Sequence, residues 1–295
     1  MRPKREGPRK ASRPQVITLG HSPDADDAFM FYALARRRIA TGGFRFRHIL
    51  QDIQTLNERA RRAELDVTAI SFHAYPHVAN EYCLLSCGAS MGDGYGPTLV
   101  ALHPRAPEEL SGLRIAIPGK LTSAFLALRI FLADSKLHVP EDRFRVMAFD
   151  RIFEAIRSGR ADAGLIIHEG QLTYGSEGFY RLVDLGAWWK GATGLPLPLG
   201  GNIIRKSLGT AKCRTIARIL ATSIRYGLDH MEEALPYLRR FARGLDDSLT
   251  RQFIRMYVND YTMDYGRTGR RAIAEFLGRG NALGLIPQVA RLEFV

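Results

Sequence analysis

Three aspartates stand within four positions of "LGHSPDADDAFMFYAL": Asp24, Asp26 and Asp27, set where an extended segment turns into a helical pattern in a chain of net charge +12. Carboxylates so placed have three uses. Ser22 and Pro23 read as the cap and first residue of a helix, where acids in the first turn gain about 0.3–1 kcal/mol each from its partial positive charge. One acid is also free to contact a substrate, and carboxylates suit magnesium or calcium. Against a metal, "DADD" has neither the fixed glycine and distal glutamate of a calcium loop nor a P-loop beside it.

A second candidate is His168 in "LIIHEG". It follows an apolar strand pattern, and an imidazole, with its unperturbed pKa near 6.5, takes and returns protons at neutral pH. Glu169 is placed to orient it or to remain solvated. "KLTSAF" sets Thr122 and Ser123 where a helix begins, a place for an N-cap and for an anion held by free backbone amides. Ser71 in "AISFHAY" has a similar position, but no histidine and acid nearby would make it a nucleophile. His73 and His77 are four apart, yet Pro76 spoils the helical geometry of a zinc pair.

These residues share one feature: each follows a strand. "VITLG" leads through "HSPDADD" to "AFMFYALARRR", "LRIAIPG" through "KLTS" to "AFLALRIFLADS", and "ADAGLIIHEG" follows the helical "RIFEAIRSGR". Strands alternating with helices predict an α/β fold of open, mostly parallel sheets, whose ligands bind beyond the carboxyl ends of the strands. At 295 residues the chain is long enough for two lobes. Outward crossing is expected near 97–112. The return falls in "TGLPLPLGGNIIRKSLG", where Pro196 and Pro198 deny a ladder its amides and Gly200 and Gly201 permit unusual angles. The expected lobes are 15–104 with 199–295, and an inserted 105–198. "GASMGDGYGP" lacks the dinucleotide glycine spacing and reads as a flexible loop. The tail "TIARILATSIRYGLDHMEEALPYLRRFA" is helical, bent or interrupted at Gly227 and Pro236.

Composition narrows the classes. Two tryptophans, fifteen phenylalanines and eleven tyrosines supply a core. Lys and Arg number 42 against 30 Asp and Glu, which favours an anionic partner. Part of that excess lies in residues 1–14, with six Lys/Arg and one Glu, a basic arm expected to be disordered. No segment reads as a secretory signal, and no apolar run approaches a membrane span, so a cytoplasmic protein without membrane insertion is expected. No recognition motif for nucleic acid accompanies the charge. "YCLLSC", read as a strand, holds Cys83 and Cys87 about 13 Å apart, too far for a disulfide. With Cys213 they are expected to be buried structural thiols. Trp188 and Trp189 in "LGAWWKGATG" are placed to line a cleft, with one of them in the core.

Taken in order, "HSPDADDAFMFYAL", "DIQTLN", "SFHAYPHV", "GASMGDGYGP", "DAGLIIHEGQLTY" and "DLGAWWKGATGLPLPLGGN" make the chain, from about residue 16 to its end, closely resemble the 1,4-dihydroxy-6-naphthoate synthases of the futalosine route to menaquinone. The resemblance implies a two-lobed fold like the type II periplasmic binding proteins. It also implies cleavage of cyclic dehypoxanthine futalosine to 1,4-dihydroxy-6-naphthoate with release of dihydroxyacetone, a lyase reaction without metal or organic cofactor. It places the proton acceptor at His168, substrate contacts at Ile70, Ser71, Phe72, Thr122 and Ser123, and an assisting acid at Asp27. Asp24 and Asp26 receive no such role, and the basic arm has no counterpart. The partner is then a small-molecule carboxylate; no oligomeric state follows. A plain solute-binding protein and the sister enzyme chorismate dehydratase share the expected fold, and "IIHEGQLTY" favours the naphthoate synthase over the latter.

Overall fold

The structure, a computed structural model, describes residues 13–295; the arm expected at 1–14 lies outside them except for Arg13 and Pro14. Eleven strands are described, in two sheets. The first holds β1 (Gln15–His21), β2 (Phe44–Leu50), β3 (Val67–Ser71), β4 (Tyr82–Leu84), β5 (Ser90–Gly92) and, last in the chain, a strand at Leu197–Arg205. The second holds β6 (Thr98–Ala101), β7 (Ile115–Ile117), β8 (Phe144–Val146), β9 (Ala163–Ile166) and β10 (Tyr180–Asp184). With Leu197–Arg205 as β11, the orders are β2-β1-β3-β11-β4, with β5 also on β11, and β10-β6-β9-β7-β8.

Both sheets are mixed. The expected parallel pairs are β1 with β2 and β3, and β7 with β8 and β9. Antiparallel pairing joins β11 to β3, β4 and β5, and β6 to β9 and β10. The proline-rich return thus differs from the expected irregular connector. Pro198 opposes Met91 and the register shifts before Gly200, so the ladder absorbs the missing amide at an irregularity and continues as an interior strand. "GASMGDGYGP" is likewise only partly a loop, because Ser90–Gly92 pairs with that strand. β6 belongs to the second sheet, so the change of sheet falls before Thr98.

Apolar strands fix the layers. Ile17 and Leu19 of β1 are wholly buried, each contributing about 1.5–3 kcal/mol by leaving water. The helix Ser123–Asp134 buries Ala124, Phe125, Leu126, Ala127, Leu128, Ile130 and Leu132 and sits deep in the molecule. Trp189 is in the core, donating from Nε1 to Pro196 O at 3.1 Å, while Trp188 packs edge-on against Phe131. The tail breaks at His230, between the helices Thr210–Asp229 and Met231–Leu238. Gly227 instead gives close approach, since a Cβ there would lie 3.1 Å from the Phe29 carbonyl oxygen. Cys83, Cys87 and Cys213 are buried free thiols, although the strand at "YCLLSC" covers only Tyr82–Leu84. No helix among the described residues is long and apolar enough to cross a membrane.

Candidate active site

The loops after β1, β3, β7 and β9 meet around one partly open cavity. Ser22, Asp26 and Asp27 line it from the first loop, Ile70 and Ser71 from the end of β3, Thr122 and Ser123 after β7, and His168 after β9. Carboxyl ends of parallel strands therefore converge on it from both sheets, as the topology requires. Its floor includes Gly200 and Gly201; a Cβ on Gly201 would stand 2.7 Å from the Tyr265 hydroxyl and 3.0 Å from the Phe72 ring. Phe72 itself is wholly buried, packed edge-on against Tyr265, and is absent from the cavity lining. Neither Trp188 nor Trp189 lines the cavity.

His168 has φ +57°, in the left-handed region that residues other than glycine occupy only uncommonly. Such strain costs about 1–3 kcal/mol and gathers at functional sites. Its Nδ1 lies 3.2 Å from Asp24 Oδ2, while Nε2 has no hydrogen-bond partner among the described residues. A carboxylate facing Nδ1 favours the tautomer that keeps the proton there, leaving the Nε2 lone pair as a base. The Phe149 ring meets the imidazole edge-on at 4.7 Å and fixes its plane.

Asp24 differs from its expected role. It occupies the N-cap position of the helix Ala25–Met30, so the helix starts later than the Ser22-Pro23 reading, but its side chain makes no capping bond. Its carboxylate turns instead to His168 and to Arg243, whose Nη2 and Nε donate to Oδ1 at 2.7 and 3.1 Å. Arg243 also meets Glu169 at 3.1 Å and lies over the Phe149 ring at 4.5 Å. This network joins the turn after β1 to the segments flanking β9, and so joins the two sheets. Burial raises the Glu169 carboxyl above its usual range, countered by His168 and Arg243 and reinforced by Asp24. Sequence spacing gave no signal for Arg243, which is 219 positions from Asp24.

Asp27 accepts from both Ser22 N at 2.7 Å and Ser22 Oγ at 2.8 Å, on its Oδ2. Burial nonetheless pushes its pKa up to about 6, against those hydrogen bonds and with the help of Asp24. Asp26 reaches the cavity as well, and burial together with the charges of Asp27 and Asp24 holds it well above the carboxylate range. It therefore faces the space where a ligand would sit, beyond the capping role assigned from sequence.

On the opposite wall, Thr122 caps the helix Ser123–Asp134, accepting from Phe125 N at 3.2 Å and donating to Gly119 O at 2.8 Å. Ser123 Oγ accepts from His73 N at 3.3 Å, and His73 Nδ1 is 3.0 Å from Thr122 O. Burial drives His73 down to about 4 and keeps it neutral. Another residue missed in sequence is Asn57, wholly buried. Its Oδ1 accepts from Ser71 N at 2.9 Å, and its Nδ2 donates to Ser71 Oγ at 3.0 Å and Leu121 O at 3.2 Å. Gln54, one turn earlier, accepts from Leu121 N at 3.0 Å. The helix Ile53–Arg61, capped by Asp52, thus locks both hydroxyl-bearing turns together. The signal was the three-residue spacing of Gln54 and Asn57 in "DIQTLN", which puts two amides on one helical face.

Two mixed sheets and a cavity between strand ends define a two-lobed protein of the periplasmic-binding-protein fold. The alkanesulfonate-binding protein of Xanthomonas axonopodis pv. citri superposes with a TM-score of 0.68 at 15% identity, covering 94% of this chain and 96% of that one; this likeness concerns the fold alone. At the family level, the menaquinone biosynthesis family model matches residues 17–282. A 1,4-dihydroxy-6-naphthoate synthase of Thermus thermophilus is 38% identical over 281 residues, 95% of this chain and 100% of that protein. One of Streptomyces coelicolor is 37% identical over 274 residues, 92% of this chain and 95% of its own. A crystal structure from Archaeoglobus fulgidus has a TM-score of 0.86 at 41% identity, covering 92% of this chain and 98% of that one. The chain belongs to the menaquinone biosynthesis family.

Proposed function

We propose that the protein is a 1,4-dihydroxy-6-naphthoate synthase, cleaving cyclic dehypoxanthine futalosine to 1,4-dihydroxy-6-naphthoate and dihydroxyacetone. The observation that carries the reading is His168, strained, backed by Asp24 at 3.2 Å and presenting an unpartnered Nε2 in a cavity whose far wall is a helix N-terminus. Full-length kinship with proteins named for this activity supports it.

The substrate carboxylate binds the Ser71 and Ser123 hydroxyls and the amides that open the helix Ser123–Asp134, where hydrogen-bond donors and the helix dipole favour an anion, while Thr122, whose hydroxyl proton goes to Gly119 O, caps that helix and lines the wall beside it. Ile70 shapes the same wall, and Phe72 acts from behind it by packing. His168 Nε2 removes a proton next to a carbonyl, the three-carbon sugar remnant departs and takes that proton back to become dihydroxyacetone, and the ring becomes a full naphthalene. Aromatisation supplies driving force, so the protein's work is positioning and proton transfer. Asp27, held by Ser22, orients a substrate hydroxyl. The reaction is a carbon–carbon lyase step.

The test is direct: purified protein is mixed with cyclic dehypoxanthine futalosine and both products are quantified. Equal release of naphthoate and dihydroxyacetone supports the proposal. Tight binding without product would assign a solute-binding role instead.

A further inference from the structure

Besides its hydroxyl wall, the cavity has a second polar group that the proposed reaction has not used. Asp26 from the helix Ala25–Met30, Gln171 from the helix Gly170–Thr173 and Tyr257 at the end of the helix Asp247–Tyr257 all line it. Tyr257 is 4% exposed, and its ring is fixed by Phe253 at 5.0 Å and Tyr95 at 6.2 Å. The Tyr257 hydroxyl, Asp26 Oδ1 and Gln171 Oε1 are all buried and make no hydrogen bond of normal geometry among the described residues, although the phenol stands close enough to Gln171 and Asp26 for both to act on it. Folded proteins pair nearly all such atoms, so three unpaired ones on three elements around one cavity mark a place where a ligand completes the bonding.

We propose that Asp26, Gln171 and Tyr257 form a subsite for the hydroxylated three-carbon fragment of the substrate, the part that leaves as dihydroxyacetone. This rests on the naphthoate synthase reading and adds the site's second half. A phenol, an amide and a carboxyl offer donors and acceptors together, which suits neighbouring hydroxyl and carbonyl groups. Burial beside Asp27 and Asp24 raises the Asp26 carboxyl well above its usual range, which favours the uncharged form and suits a neutral sugar remnant. A carboxylate has no reason to bind here and every reason to bind at Thr122 and Ser123. The two groups therefore orient the substrate one way round across His168, whose side chain also lines the cavity.

The experiment compares Tyr257→Phe, Gln171→Leu, Asp26→Leu and Asp26→Asn in the full chain, measuring KM for cyclic dehypoxanthine futalosine and Kd for 1,4-dihydroxy-6-naphthoate. The naphthoate lacks the three-carbon fragment. Loss of one hydrogen bond to that fragment raises KM about two- to tenfold, while the naphthoate Kd stays within twofold of wild type. Asp26→Asn, neutral and similar in shape, retains most of the affinity that Asp26→Leu loses. A purely structural role would move both ligands together, and that result would overturn the subsite. So would unchanged KM in all the variants while wild type turns over normally. A wild-type protein that forms no naphthoate overturns the reaction itself, an outcome distinct from the other two.

Discussion

Asp24 Oδ2 and His168 Nδ1 lie 3.2 Å apart, although one residue follows β1 and the other β9 in a different sheet. The imidazole proposed as the base and the carboxylate facing it are thus brought together only when the two sheets are in their observed relation. Arg243 stabilises that relation by bonding Asp24 and Glu169 at once.

Replacing Asp24 with Asn keeps the shape but removes the charge facing the imidazole and Arg243. The expected result is a fall in kcat of at least about tenfold, with naphthoate affinity changed far less. Steady-state kinetics alongside equilibrium binding of the product checks this. An unchanged kcat would show that His168 needs no carboxylate behind it.

Asn57→Ala should act through stability as well as binding. It strips the buried Ser71 amide of its acceptor and frees the Leu121 carbonyl. Leaving such groups unpaired costs about 1–3 kcal/mol, read as a lower urea midpoint with an unchanged slope. A midpoint equal to wild type would mean that the turn at Leu121–Ser123 is held by other contacts.

Acid behaviour follows from opposing groups. His21, His48 and His73 are each pushed down to about 4, first of all by burial, and His21 Nε2 and His48 Nδ1 are 3.0 Å apart. Their neutral forms contribute stability that is complete above the unfolded pKa of about 6.5 and is lost as pH falls through about 4. Asp27 runs the other way. Raised to about 6, it weighs against the fold above that pH and ceases to do so as pH falls toward 3.8. Three lowered histidines outweigh one raised carboxyl, so wild type loses stability as pH falls from 6.5 toward 4, with Asp27 offsetting part of the loss. Asp27→Asn removes the compensating group, so its denaturation midpoint should fall more steeply from pH 6.5 to 4.5 than that of wild type. Parallel profiles would contradict the assignment.

What was legible in the sequence was local. Strands ending in "VITLG", "LRIAIPG" and "AGLII" placed Asp27, Thr122, Ser123 and His168 by one topological rule, and all four line the cavity. What was hidden depends on packing between distant segments. The acids around Asp24 look alike in a capping turn, and only the approach of Arg243 and His168 distinguishes Asp24 from Asp26. Similarly, Pro198 argues locally against a strand, yet β11, which begins just after Pro196, pairs with β3, β4 and β5, and that pairing outweighs the preference. Phe72 shows the converse: its neighbours Ile70 and Ser71 reach the cavity, but its ring is turned into the core.

The role of His168 is central, and one comparison tests it. Wild type and His168→Asn are each given cyclic dehypoxanthine futalosine, with naphthoate formation followed over time and naphthoate binding measured on the same preparations. Wild type is expected to release naphthoate and dihydroxyacetone in equal amounts. Turnover by the variant should be about 10²- to 10⁴-fold slower, with product binding retained. Near-normal turnover by His168→Asn would contradict that role.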